Sequence, residues 1–215
     1  MGGLFTTITM KGIKFFLILL LIGCNNSKKN KQVDYKPSHA VIDLNDTAVS
    51  IYGEQLHKDI KNILLLRKAL SYLNKAIALD SLYVYSYLNK ISIYKHLEMY
   101  DSAAAQYTIV SRIDSKKPEY ILGEGILSER IGDSNKANEK YLAALELYNN
   151  LIKEKPKDID LKINRVFAYL LLQGKEEAIS HLGYISPTSK SDEEKIDRMY
   201  SLIEDFHRED FIVNF

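Results

Sequence analysis

The side chains able to do covalent or acid–base chemistry are few and dispersed. Cys24 is the one cysteine in 215 residues, so no disulfide framework exists within the chain, and the thiol's chemistry is that of a nucleophile. The five histidines, His39, His57, His96, His181 and His207, include no i,i+4 pair and no H-E-x-x-H run, the spacings that hold zinc on one helix face. Gly123-Glu-Gly125 opens like a dinucleotide loop, but Ser128 stands at the third glycine position and no strand pattern precedes it; close helix packing accounts for it better. Asp133-Ser-Asn135 opens like a calcium loop without the required Gly and bidentate Glu, and is read as a turn between helices. No Ser, His and Asp are spaced to argue for a triad. The expectation is a protein that is not an enzyme, with no cofactor and no metal.

With 29 basic against 28 acidic residues, 46% hydrophobic and 27% charged, the chain has the composition of a packed domain and no net field to gather nucleic acid, which is not expected as a partner. Its long apolar run, Ile13 to Ile22, is interrupted by Lys14 and falls short of the ~20 residues of a bilayer span. Lys11 and Lys14 ahead of Phe15–Ile22 make it an export signal. Its end, Leu21-Ile22-Gly23-Cys24, resembles the lipobox of bacterial lipoproteins. The resemblance implies a signal peptide over 1–23, a diacylglycerol thioether formed by the Cys24 thiolate, and a membrane partner held through that lipid. Met10 begins a shorter leader of the usual kind, so Met1 and Met10 both stand as starts. Asn25 and Asn26, in place of an acidic export run, favour the periplasmic face of the cell envelope.

Positioning of everything else falls to the segments behind this anchor. Asn25–Ser38 carries four lysines against Asp34, with Asn and Ser and few large apolar residues, which is linker composition. A flexible tether over 24–49 is expected, of which about 25 residues would hold the folded part about 25–30 Å from the lipid.

Beyond it, the chain repeats itself. Ala69, Ala103 and Ala137 stand 34 residues apart, and Leu73, Tyr107, Tyr141 and Ala76, Val110, Ala144 follow in the same phase. Each triplet keeps one apolar face of a helix, and Asp80-Ser81, Asp114-Ser115 and Gly132-Asp133 mark turns between helices. Helical hairpins are predicted. At Ala178 the interval stretches by seven residues, almost two helical turns, and the face Tyr141, Ala144, Leu145, Tyr148, Leu151, Ile152 runs on to Pro156; the second helix of that hairpin is read as lengthened.

Here the sequence resembles the tetratricopeptide repeat (TPR) family, most closely over Pro118–Leu151, where Gly125, Ala137, Tyr141 and Ala144 occupy the family's small and aromatic positions. The resemblance implies an all-α, right-handed solenoid of hairpins over 50–190, in units of about 50–83, 84–117, 118–158 and 159–190. The first unit lacks Gly or Pro where its turn belongs, so a hairpin and one long helix both remain open. After Pro187, Ser191 and Glu194 have the spacing of a capping box, which starts a terminal helix within 191–215 that hides the open end of the last repeat; Phe211–Phe215 should fray or fold back.

The resemblance also implies where a partner would lie. The family's concave surface is lined by first-helix residues, here Tyr85, Asn89, Ser92, Glu119, Leu122, Ile126, Arg130, Asp160, Asn164 and Phe167, with His96 among them. Asn89 and Asn164 either bond a peptide backbone or only satisfy neighbouring repeats; both readings stand. Glu119 and Gly123 stand where a carboxylate clamp would need cations, so an acidic C-terminal tail is not the expected ligand. The function expected is a lipid-anchored interaction or scaffold protein that holds an unidentified protein or peptide. The alternative is a lipoprotein that captures glycan or another small ligand on tyrosines, against which the absence of Trp counts.

Overall fold

A computed structural model of the chain describes residues 35–56, 58 and 60–215. The signal peptide and Cys24 lie outside the described residues. Among those described there are ten α-helices and no strand. They are α1 (His39–Gly53), α2 (Ile63–Leu79), α3 (Val84–His96), α4 (Tyr100–Ile113), α5 (Pro118–Arg130), α6 (Ser134–Glu154), α7 (Ile159–Gln173), α8 (Lys175–Gly183), α9 (Lys190–Glu204) and α10 (Arg208–Asn214). The fold is an all-α helical repeat. No helix among the described residues is long and apolar enough to cross a membrane.

The repeat is visible in the backbone itself. Leu97, Glu98 and Met99 donate their N–H groups to the carbonyls of Ile93, Lys95 and Tyr94; 34 residues on, Ile131, Gly132 and Asp133 donate to Leu127, Glu129 and Ser128. Both are helix ends closed through a left-handed residue, Glu98 at φ 60° and Gly132 at φ 87°. The return turns match as well. Asp80 and Asp114 donate to Ala76 and Val110, and Lys155 repeats the bond to Leu151 after an interval seven residues longer. That extra length is α6, 21 residues against the 14 of α4.

Two compact units divide the chain, one ending at Lys140 and one running from Tyr141 to Phe215. In the first, Ala48 of α1 packs with Leu66, Ala69 and Leu73 of α2 and Ile93 of α3, all essentially without solvent exposure. The segment 39–49 is therefore helix and not tether: Val41, Asn45 and Ala48 recur at helical spacing and turn inward, a stripe too short and too polar to stand out from linker composition. The first hairpin accordingly begins at His39, eleven residues before the expected boundary, and it is a hairpin, not one helix. Asn62 replaces the missing Gly or Pro, its Oδ1 accepting from Leu65 N at 3.2 Å to start α2.

In the second unit Val166, Leu170, Leu171, Leu182 and Ile203 are fully enclosed. The terminal helix starts two residues earlier than the Ser191 box implies. Ser189 is its N-cap, accepting from Asp192 N at 3.2 Å, while the Asp192 carboxylate accepts from Thr188 N at 3.0 Å and Thr188 Oγ1 at 2.7 Å. Asp stands at the third position instead of Glu and its carboxylate reaches back to Thr188, the residue before the cap, and the Thr188 bonds hold the Asp192 carboxyl below its ordinary range. The C-terminal phenylalanines fold back: Phe211 on α10 packs against Phe206 and Phe167 at ring distances of 5.4 and 5.6 Å.

Candidate functional site

In the unit ending at Lys140, the first helices of successive hairpins are α1, α3 and α5, and α1 packs on α3. Their contact is polar at one end. Asn89 Nδ2 donates to Asn45 Oδ1 at 2.8 Å and Ser86 Oγ reaches the same oxygen at 3.3 Å; Asn45 is buried. Asn89 thus has a hydrogen-bond partner on a neighbouring helix and is half-buried. Nothing in the sequence marks Asn45, because the polar composition around it is that of a linker. Further along, Tyr52 Oη donates to the Ser92 carbonyl at 3.3 Å, and its ring meets His96 edge-on at 5.7 Å. Burial, with the Lys61 charge, lowers the His96 pKa.

The expected apolar contacts are not open. Ile126 is 1% exposed and Leu122 3%, because α5 is enclosed along most of its length. Gly123 shows why that enclosure is tight: a Cβ there would stand 2.4 Å from Tyr107 Cζ on α4. The Gly123-Glu-Gly125 sequence is thus a packing contact. Between its glycines Glu124 is buried, with Lys140 Nζ at 3.3 Å and Lys136 Nζ at 3.4 Å. Asp133, head of the calcium-like run, accepts from Lys136 N at 3.0 Å and starts α6.

Glu119 and Arg130 are half-buried. Arg130 Nη2 donates to Tyr100 Oη at 3.0 Å, its guanidinium 4.8 Å from the ring centre. Lys95, on α3, is half-enclosed and desolvation pulls its pKa down to about 7. Tyr85 is the candidate that remains open, 64% exposed. Its ring is 5.6 Å from that of Tyr83, and the Tyr120 phenol is pushed up to about 12 by burial, the Asp114 and Glu119 carboxylates and Tyr85.

In the unit from Tyr141, Asp160 is taken by Lys195 of α9 at 2.5 Å. Phe167 is buried under Phe206 and Phe211, and Asn164 is half-buried. Tyr169 stacks on His181 at 3.6 Å, and His181 Nε2 lies 3.2 Å from Glu177. Among the described residues no three His, Cys, Asp or Glu side chains are grouped to hold a metal ion.

No protein-family model matches the chain, and no curated protein does. Among solved structures it is similar to YrrB, a TPR protein with an unusual peptide-binding site, at 18% identity and a TM-score of 0.43 over 78% of this chain and 80% of that one. It is also similar to a tetratricopeptide repeat protein from Parabacteroides merdae ATCC 43184, at 13% identity and a TM-score of 0.32 over 82% and 99%. Likeness at this level says nothing of what this chain binds.

Proposed function

We propose that the chain is a lipid-anchored helical-repeat interaction protein of the bacterial cell envelope, facing the periplasm, and that it holds a peptide or protein segment on the first helices of its hairpins. One observation carries the binding part: α1 and α3 are packed side by side with polar and aromatic side chains, Tyr85, Asn89, Ser92 and His96, along the second of them, exposed or half-buried. Repeats multiply such a surface without any new fold, since each hairpin contacts only its neighbours. The Cys24 lipobox and its lysine-rich tether support the anchor. With Ile126 and Phe167 enclosed, Tyr85, Ser92 and Arg130 are the residues of the original set best placed to touch a ligand.

Photo-crosslinking in membranes tests this. A benzophenone side chain at Tyr85 or Ser92 should yield one discrete adduct, and the same group at exposed Arg112 or Leu142, on second helices, should yield none. Equal labelling from both sets would remove the first helices as the binding surface.

A further inference from the structure

Several tyrosines of this chain hold one of its own cations over the ring. Lys75 Nζ lies 5.4 Å from the centre of Tyr72, Lys90 Nζ 5.7 Å from that of Tyr94, and the Arg130 guanidinium 4.8 Å from that of Tyr100 while donating to its Oη. Tyr83 and Tyr85, at the start of α3, differ: among the described residues no Lys or Arg stands over either ring. The two rings lie 5.6 Å apart at 54° to each other, and Tyr85 is 64% exposed.

The charges beside these rings are carboxylates. On the α1 side stands exposed Asp46, next to Asn45, the residue that bonds Ser86 and Asn89 of α3; burial first, then Asp46 and Tyr85, raise the Tyr83 phenol. On the α5 side stand Glu119 and Tyr120, 34 residues after Tyr85 and Ser86, where Asp114 and Glu119 add to burial in raising the Tyr120 phenol. Asp46 and Asp114 have no cation within ion-pair distance among the described residues. Asp80 is already taken, by Tyr35 Oη at 2.5 Å and Leu82 N at 3.0 Å. These acids outnumber the lysines of this end, Lys36, Lys116 and Lys117. Lys116 and Lys117 are exposed on the α4–α5 turn, and among the described residues neither pairs with a carboxylate or stands over a ring.

We propose that the ligand of this surface is a basic peptide segment, and that one of its arginines lays its guanidinium on Tyr85, in the angle between the two rings, with its N–H groups toward the Asp46 carboxylate. The inference rests on the reading of the first helices as the binding surface and names the chemistry they select. An arginine suits the place better than a lysine, because a planar, weakly hydrated guanidinium stacks on a phenol ring and donates to a carboxylate at once. Arg130 on Tyr100 is the chain's own example of that stacking. An acidic segment is repelled by the flanking carboxylates, and an apolar one covers Asp46 without pairing it.

Fluorescein-labelled octapeptides of glycine alternating with arginine, lysine, leucine or glutamate, titrated with the purified full chain in a non-ionic detergent, test this by anisotropy. The arginine peptide should bind most tightly, and salt should weaken it. Tyr85→Ala and Asp46→Asn, both at exposed sites, should each weaken it about threefold to tenfold with the melting temperature unchanged. Tyr85→Phe, which keeps the ring, and Glu139→Gln, at an exposed acid of α6, should leave it as it is. No binding of the arginine peptide, equal binding of the leucine or glutamate peptide, or no loss in Tyr85→Ala overturns the proposal, as does the same loss in Glu139→Gln as in Asp46→Asn. The membrane crosslink from a benzophenone at Ser92 keeps the two readings apart. A discrete adduct there with no binding of the arginine peptide leaves the first helices as the surface and overturns the basic ligand. No adduct, with arginine-peptide binding that Tyr85→Ala weakens, removes the membrane partner and upholds the arginine site.

Discussion

Lys95 and Gly123 each place a side-chain-scale demand on the unit that contains them. Lys95 has its folded pKa pulled from 10.5 to about 7 by burial. Between those values the unfolded chain binds more protons than the folded one, so stability rises with pH from about 7 to about 10.5, and the penalty is fully present below 7. Lys95→Met should therefore stabilise the protein at pH 6 by about 1–3 kcal/mol, an amount discounted from the full shift because a lysine stem lets its head relax toward water. Urea midpoints at pH 6 and 9.5 check this: the gap between variant and wild type should narrow as pH rises. Gly123 makes the opposite demand. With Tyr107 ring atoms 2.4–2.8 Å from the site of a Cβ, Gly123→Ala should cost about 1–3 kcal/mol. In a Tyr107→Ala background the sign should reverse, since the methyl then has room and alanine is the better helix former by about 1 kcal/mol.

At the scale of elements, the 34-residue register governs even residues whose types disagree. Glu98 and Gly132 occupy the same left-handed position in successive turns. Only the second is a glycine, and Glu98 keeps an exposed pair to Lys61 at 2.8 Å, of a kind that stabilises little. Glu98→Gly should therefore raise stability by about 0.5–1 kcal/mol and Gly132→Ala lower it by about 1 kcal/mol; thermal denaturation of the two variants reads both signs. The alanine and tyrosine triplets made this register legible in the sequence, and so was the lengthened α6, because an apolar stripe that continues in phase needs no tertiary information. Helix α1 was not legible. Its inward stripe includes Asn45, which is stable there only because Asn89 and Ser86, some forty residues on, bond its side chain. The start of α9 was displaced for a similar reason: Ser189 and Ser191 are equally good caps locally, and the Thr188 bonds to Asp192 favour the earlier one.

Across the whole molecule, the candidate site was legible only as a set of helix positions. Counting positions along a repeat finds the first helices, but it does not reveal what later helices cover. Phe167 is covered because α10 folds back over it, and Asp160 is neutralised by Lys195 from α9; both partners come from the terminal segment, more than thirty residues on. Tyr85 stays open, and the edge around it meets the point where the chain leaves toward Cys24. Binding surface, tether and anchor form one account only if Cys24 carries lipid. The direct measurement is metabolic labelling of expressing bacteria with an alkyne fatty acid, read on the purified chain and on Cys24→Ser together with membrane fractionation. The account predicts label and membrane residence for the wild-type chain and loss of both in Cys24→Ser. Equal label and equal membrane residence in the two chains would contradict it.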